Sequence, residues 1–99
     1  MGKTRESGSD IMALEGIRVL ELSIGQTGPV AGAMLGDLGA DVIKIEEPTS
    51  GDWGRYLQIV GTKEPTPPFA YWENNNRNKR SLAMNLKKEG ARDIVYRLI

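Results

Sequence analysis

The stretch that decides the fold is residues 17–39, which read IRVLELSIGQTGPVAGAMLGDLG. Its first seven residues are nearly continuously apolar, as expected of a parallel strand that is covered on both faces. A glycine-rich elbow follows, in which Thr27 or Gly28 is the expected helix N-cap and Pro29 suits the first helical turn. Apolar residues then recur at helical spacing as far as Gly39, which is placed to end the helix in a left-handed conformation. The pattern therefore predicts a strand, an elbow and a helix.

The rest of the chain extends this unit. The pattern predicts a strand at Val42–Ile45, a long loop at Thr49–Pro68 with a helical turn near Trp53 to Gln58, a short helix at Phe69–Trp72, a strand at Ser81–Asn85 and a helix at Lys87–Ile99. Strand, helix and strand form a right-handed βαβ unit by default. Because nothing follows to cover the apolar face of the last helix, we predict an α/β, Rossmann-like parallel sheet that is incomplete as a domain and is the start of something larger.

Composition excludes several kinds of protein and site. The chain has 99 residues with 13 basic and 13 acidic side chains, and this balance indicates no nucleic-acid or membrane partner. No apolar run approaches the roughly 18 residues that a transmembrane helix needs. Cysteine and histidine are absent, so we predict no disulfide, no thiol chemistry and no metal site. Residues 1–12 are predicted to be a disordered leader, natural or added by cloning, before a folded part at 13–99.

The elbow is the first candidate site. A helix that opens after a strand presents free backbone N–H groups and its positive end, which favours an anion or a carbonyl oxygen. The glycines at 25, 28 and 32 do not match the dinucleotide pattern G-x-G-x-x-G, and the Walker pattern is absent. Gln26 stands at the tip, where its amide can donate to an oxyanion or hold a carboxylate. The alternative is that the glycines only permit a tight turn and that Gln26 is solvated.

A cationic run is the second candidate. Three cations lie within four residues just before the third predicted strand, which suits phosphate binding, although a solvated turn is the more common explanation; these are Arg77, Lys79 and Arg80. Lys87 and Lys88, expected to open the last helix, either reach the same anion or are surface lysines.

Carboxylates after the second strand are the third candidate. Glu46 and Glu47 stand where a dinucleotide enzyme places a ribose-binding acid, but without the glycine pattern we favour the capping of a neighbouring turn. Asp52 and Arg55 are predicted to form a local ion pair that shapes the loop.

Several segments together resemble one family, the class III CoA-transferases, which include formyl-CoA transferase, the carnitine CoA-transferases and α-methylacyl-CoA racemase. The similarity spans residues 13 to 99 and is carried by Leu14–Leu22, Gln26–Pro29, Leu35–Glu46, Gly51–Asp52 with Arg55, and Asn78–Leu82 followed by Asn85 and Lys87. The resemblance implies an enzyme that moves coenzyme A between carboxylic acids, with an acyl-CoA and a carboxylic acid as substrates and no prosthetic group. It also implies an interlocked homodimer in the cytoplasm.

The family mechanism needs an aspartate that this chain does not contain. In such enzymes the aspartate attacks the thioester, giving a mixed anhydride and then an enzyme-bound thioester. It lies beyond position 99, and none of this chain's candidates matches it: Asp37, Asp41, Asp52 and Asp93. We therefore expect the 99-residue chain alone to be inactive.

The resemblance carries over to binding positions only. Gln26 matches the elbow glutamine that lines the active site of formyl-CoA transferase, and Gly25 matches its neighbour beside the CoA thiol end. Met84 and Lys87 match positions that contact the CoA nucleotide, and Arg80 matches an arginine of the family motif.

One position departs from the family, and two other functions stay open. Glu47 stands where formyl-CoA transferase has an arginine against the adenine end, so CoA must be bound differently there. One alternative is the racemase branch, whose elbow lacks the glutamine. The other is a non-catalytic nucleotide-binding or assembly module.

Overall fold

A single parallel sheet organises the part of the chain that the computed structural model describes, residues 11–56 and 70–99. Its strands stand in chain order: β1 at Arg18–Glu21, β2 at Asp41–Glu46 and β3 at Lys79–Ala83. Both pairings are parallel, with Glu21 opposite Lys44 and Glu46 opposite Ala83. The predicted α/β class with a parallel sheet is confirmed.

Three α-helices accompany the sheet within the described residues: α1 at Thr27–Asp37, α2 at Ala70–Asn76 and α3 at Ala91–Leu98. A 3-10 turn lies at Trp53–Arg55, where a helical turn was predicted. Most of the long predicted loop, and Phe69 of the predicted short helix, lie outside the described residues. No helix in the described part of the chain has the length and apolar character needed to cross a bilayer.

Helix α1 differs from the prediction only at its N-terminal end. The residue before the helix is Gln26, not Thr27 or Gly28, and its side chain makes no capping hydrogen bond. Pro29 lies within the first turn as predicted, and Gly39 has a φ of +102° just beyond the last turn.

The last strand and helix are displaced from their predicted bounds. β3 begins at Lys79, inside the run that was interpreted as a polar turn, because the Lys79 side chain is buried against polar partners rather than solvated. α3 begins only at Ala91, after Gly90 adopts a φ of +91°. Lys87 and Lys88 therefore lie in a turn before α3, which corrects the expectation that they open it.

The core is built around β2, the middle strand. Its apolar residues Val42, Ile43 and Ile45 are buried, and so are the charged residues Lys44 and Glu46. This strand is thus covered on both faces. The coverage on both faces that was predicted for the first strand is wrong for β1: Arg18 is exposed, and Val19 and Leu20 are only half-buried.

Candidate functional site

The carboxyl ends of the three described strands meet at one edge of the sheet. The elbow follows β1, an acidic loop follows β2, and Met84 with Lys87 follows β3. In open α/β sheets ligands bind outside this edge. The structure thus places the elbow, Met84 and Lys87 along one edge.

The elbow's backbone is fixed by another loop. Gly25 is buried with a φ of +87°, and its N–H donates to Oδ1 of Asp52 at 3.0 Å. A Cβ at this position would lie 2.7 Å from Cζ2 of Trp53, so the close approach also requires glycine. The predicted free N–H at Gly25 is therefore already paired inside the protein. Gln26, by contrast, is exposed at the start of α1.

Four buried charges form an ionic network beneath the elbow. Nζ of Lys44 lies 2.6 Å from Oε2 of Glu21 and 2.9 Å from Oδ2 of Asp52. The other Glu21 oxygen lies 2.6 Å from Nζ of Lys79. All four side chains are at most 5% exposed. Two cations and two anions balance, which buried charges require.

Neighbouring dipoles complete this network. Lys44 also donates to the Ser23 carbonyl at 3.0 Å. Lys79 donates to three further oxygens, which are the Pro29 carbonyl, the Asn75 carbonyl and Oδ1 of Asn76. Helix α1 passes closely because Gly32 faces Glu21, where an added Cβ would come within 2.0 Å of Oε1.

The pKa values in the network follow from burial and pairing. Burial acts to raise the pKa of Asp52, but the Gly54 N–H, Lys44 and the Gly25 N–H more than offset it and leave the pKa below its usual value. Burial lowers the pKa of Lys79, and Glu21 opposes that effect. Asp52 is therefore an anion that the site holds charged.

Arg55 pairs with Glu46, which corrects the predicted Asp52–Arg55 pair. Its Nε and Nη2 lie 2.9 and 2.6 Å from the Glu46 oxygens, and Trp72 covers the guanidinium at 3.9 Å. The hydroxyl of Ser81 also donates to Glu46. Asp52 is paired with Lys44 instead, at 2.9 Å. The Arg55 pairing, reinforced by Ser81, lowers the pKa of Glu46 to about 2.

Glu47 caps the turn that follows β2. Its carboxylate accepts the N–H groups of Thr49 and Ser50 at 2.9 and 2.8 Å, and these bonds lower its pKa to about 2. This is the turn-capping role that we favoured for the strand-end acids.

Met84 and Lys87 share a hollow beside Glu47. Its lining is Ile45, Glu46, Glu47, Met84, Asn85, Leu86 and Lys87. The Met84 N–H donates to the Glu46 carbonyl at 2.8 Å, and Oδ1 of Asn85 accepts the Lys87 N–H at 3.0 Å. Met84 and Lys87 therefore both lie at the carboxyl edge, and their contact with the CoA nucleotide stays a prediction.

The three cations of the second candidate do not converge on one anion. Arg77 pairs with Asp37 at 2.6 Å, Lys79 belongs to the buried network, and Arg80 pairs with Asp41 at 2.6 Å. Arg80 and Asp41 lie near the amino ends of β3 and β2, away from the elbow. The contact of Arg80 with CoA stays a prediction.

Residues 14–99 match the CoA-transferase family III. The chain belongs to CoA-transferase family III. It is 39% identical to the human succinyl-CoA:glutarate CoA-transferase, over 98% of this chain and 22% of that protein. It is 41% identical to the formyl-CoA:oxalate CoA-transferase of Streptomyces avermitilis, over 88% of this chain and 20% of that protein.

Solved structures agree with the family III assignment. The hypothetical protein Rv3272 from Mycobacterium tuberculosis matches 88% of this chain and 22% of its own, with a TM-score of 0.72 and 40% identity. A CAIB/BAIF family protein from Brucella suis matches 90% and 24%, with a TM-score of 0.71 and 37% identity. The chain thus spans about a fifth of the length of these relatives.

Sequence reasoning missed the buried network in this family III chain. Lys44 was treated as part of a short apolar strand. A lysine inside a buried strand needs an opposite charge beside it, and Glu21 is its direct partner in the parallel register. That requirement was the available signal. The part played by Asp52 depends on how the loop after β2 folds, which spacing does not reveal.

Proposed function

We propose that this chain is the N-terminal, CoA-binding segment of an enzyme that transfers coenzyme A between carboxylic acids. The observation that carries the proposal is the exposed Gln26 on a fixed elbow, at the sheet edge shared with Met84 and Lys87. Relatives that are named CoA-transferases and match nearly the whole chain support it.

The proposed roles follow the geometry of that edge. Gln26 donates an amide N–H to the thioester carbonyl oxygen as negative charge develops on it. Gly25 lets the elbow approach the thiol end of CoA, while Met84 and Lys87 contact the nucleotide portion. Lys87 suits this role because an exposed cation attracts phosphate. Arg80 lies at the amino end of its strand, paired with Asp41, and is left out of this arrangement.

The nucleophile, in this proposal, is an aspartate outside these 99 residues. Its carboxylate attacks the thioester carbonyl carbon and expels the CoA thiolate, which leaves a mixed anhydride. The thiolate then attacks the enzyme's own carbonyl of that anhydride and releases the first acid. The acceptor carboxylate then attacks the enzyme thioester and expels the CoA thiolate, which forms a second mixed anhydride. The thiolate attacks the acceptor's carbonyl in that anhydride, which gives the new acyl-CoA and releases the aspartate. We further propose a homodimer located in the cytoplasm, with acyl-CoA and a carboxylic acid as substrates and no prosthetic group.

The direct test uses the full-length protein that contains this chain. It is incubated with succinyl-CoA or formyl-CoA and a panel of ¹³C-labelled dicarboxylic acids, including glutarate and oxalate, and the thioesters are analysed by mass spectrometry. We expect a labelled acid to appear in a new thioester. Inversion of a 2-methylacyl-CoA with no new thioester would instead favour a racemase. CoA binding without either reaction would favour a non-catalytic module.

The 99-residue chain on its own tests the location of the nucleophile. We expect it to produce no new thioester under conditions in which the full-length protein is active. Turnover by the purified 99-residue chain would show that the nucleophile lies within it.

A further inference from the structure

Asp52 is the most completely enclosed polar side chain at the elbow. It is 0% exposed, yet it comes from the loop after β2 and not from β1 or α1. Its Oδ1 accepts the N–H groups of Gly25 at 3.0 Å and Gly54 at 2.8 Å. Its Oδ2 faces Nζ of Lys44 at 2.9 Å. One carboxylate therefore joins the elbow, the 3-10 turn and the middle strand.

These contacts close a ring around one residue of the elbow. Lys44 donates to the carbonyl of Ser23, and Asp52 accepts the N–H of Gly25. Because Lys44 and Asp52 also pair with each other, the peptide groups on both sides of Ile24 are held by one ion pair. We call these two side chains the Lys44–Asp52 clamp.

From this ring we infer that Asp52 is a positioning residue for CoA transfer. It orients Gln26 by fixing the backbone of Gly25. The inference rests on the proposed function. Glycine with a positive φ has several accessible conformations, so the elbow needs an outside contact to keep one of them. Gln26 follows directly, and no capping hydrogen bond of its own side chain orients it. A displacement of about 1 Å in a reacting geometry can lower a rate by about 100-fold.

The test measures steady-state kinetics of the full-length enzyme with Asp52→Asn. Asparagine keeps the size but loses the charge that pairs with Lys44. We expect kcat for CoA transfer to fall at least about tenfold while KM for the acyl-CoA changes less than about threefold. Asp37→Asn is the matched control, because it removes an exposed, arginine-paired carboxylate at the far end of α1. We expect that variant to stay within twofold of the wild type.

A double variant separates positioning from a general structural defect. If Asp52 acts through Gln26, adding Asp52→Asn to Gln26→Ala lowers kcat by less than about threefold beyond Gln26→Ala alone. The inference would be overturned if the double variant lost kcat by the product of the two single-variant factors. It would also be overturned if Asp52→Asn left kcat unchanged.

A measurement on the unmodified enzyme covers the case in which Asp52→Asn fails to fold. We expect the Gly25 amide hydrogen to exchange slowly in the absence of ligand, since Asp52 accepts it in a buried place. Exchange at the rate of an open loop would overturn the inference. A wild-type enzyme that makes no new thioester would instead reject the proposed function, and slow exchange at Gly25 would still be observable.

Discussion

Gln26 carries its amide on an elbow whose neighbouring residues are held in place. We expect Gln26→Ala in the full-length enzyme to lower kcat about 100-fold, since removing one donor to a developing oxyanion has an effect of about this size. The Kd for CoA should change less than about threefold, because the bond strengthens only as charge develops. Asn74→Ala, an exposed amide on α2, is the control and should leave both constants unchanged. An unaltered kcat in Gln26→Ala would show that Gln26 takes no part in the reaction.

Gly25 requires glycine for two reasons, and Gly16 for one. Both have positive φ, +87° and +84°, but a Cβ at Gly25 meets the Trp53 ring at 2.7 Å, while one at Gly16 has no neighbour within 4 Å. Each alanine variant should lose about 1–2 kcal/mol from the left-handed backbone. We expect Gly25→Ala to lose about 1–3 kcal/mol more, from overpacking against Trp53. Urea denaturation measures the difference, and equal losses would contradict the contact.

Glu46 makes stability depend on pH in the acid range. Its folded-state pKa is about 2, against an ordinary value of 4.5. The Arg55 pairing is therefore fully stabilising above pH 4.5 and is lost as the pH falls toward 2. A shift of this size corresponds to about 3 kcal/mol. We expect the free energy of unfolding of the wild type to fall by about that much more than that of Glu46→Gln across this range. Parallel pH profiles from urea denaturation would contradict the pairing.

At the level of elements, β2 depends on the charge balance around Lys44. Lys44→Met leaves Asp52 without its partner and the network with one excess negative charge, so we expect a loss of about 3–5 kcal/mol. Adding Asp52→Asn leaves only the balanced Glu21–Lys79 pair, and this double variant should be more stable than Lys44→Met. A double variant less stable than the single one would contradict the balance. Arg77→Met, which breaks an exposed pair, should cost less than about 1 kcal/mol in the same denaturation experiment.

Elements with strong apolar periodicity were predictable, and those held by polar contacts were not. β2 and α1 lie close to their predicted places because burial and the helical repeat coincide there. β3 starts two residues early because Lys79, which looks solvated in sequence, is enclosed by oxygens from α1 and α2. α3 starts late because of Gly90. For the site, the glycine-rich elbow made Gly25 and Gln26 candidates, and their roles stay a prediction. The Asp52 contact is long-range and left no local pattern.

At the scale of the whole molecule, the predicted binding residues divide between two ends of the sheet. Gln26, Met84 and Lys87 follow the carboxyl ends of β1 and β3. Arg80 stands near the amino end, paired with Asp41 and close to Arg18. At the carboxyl end, the exposed Gln26 follows β1, and the exposed Lys87 lines a hollow after β3. We therefore propose that CoA binds along that edge.

Hydrogen exchange of the full-length protein with and without CoA tests this placement most directly. We expect CoA to slow amide exchange in peptides that cover residues 24–29 and 84–88. Peptides around Arg18 and Asp41, at the other end of the sheet, provide the internal control and should exchange at the same rate in both samples. Protection confined to the Arg18 and Asp41 peptides, or no protection at the elbow at saturating CoA, would contradict the account.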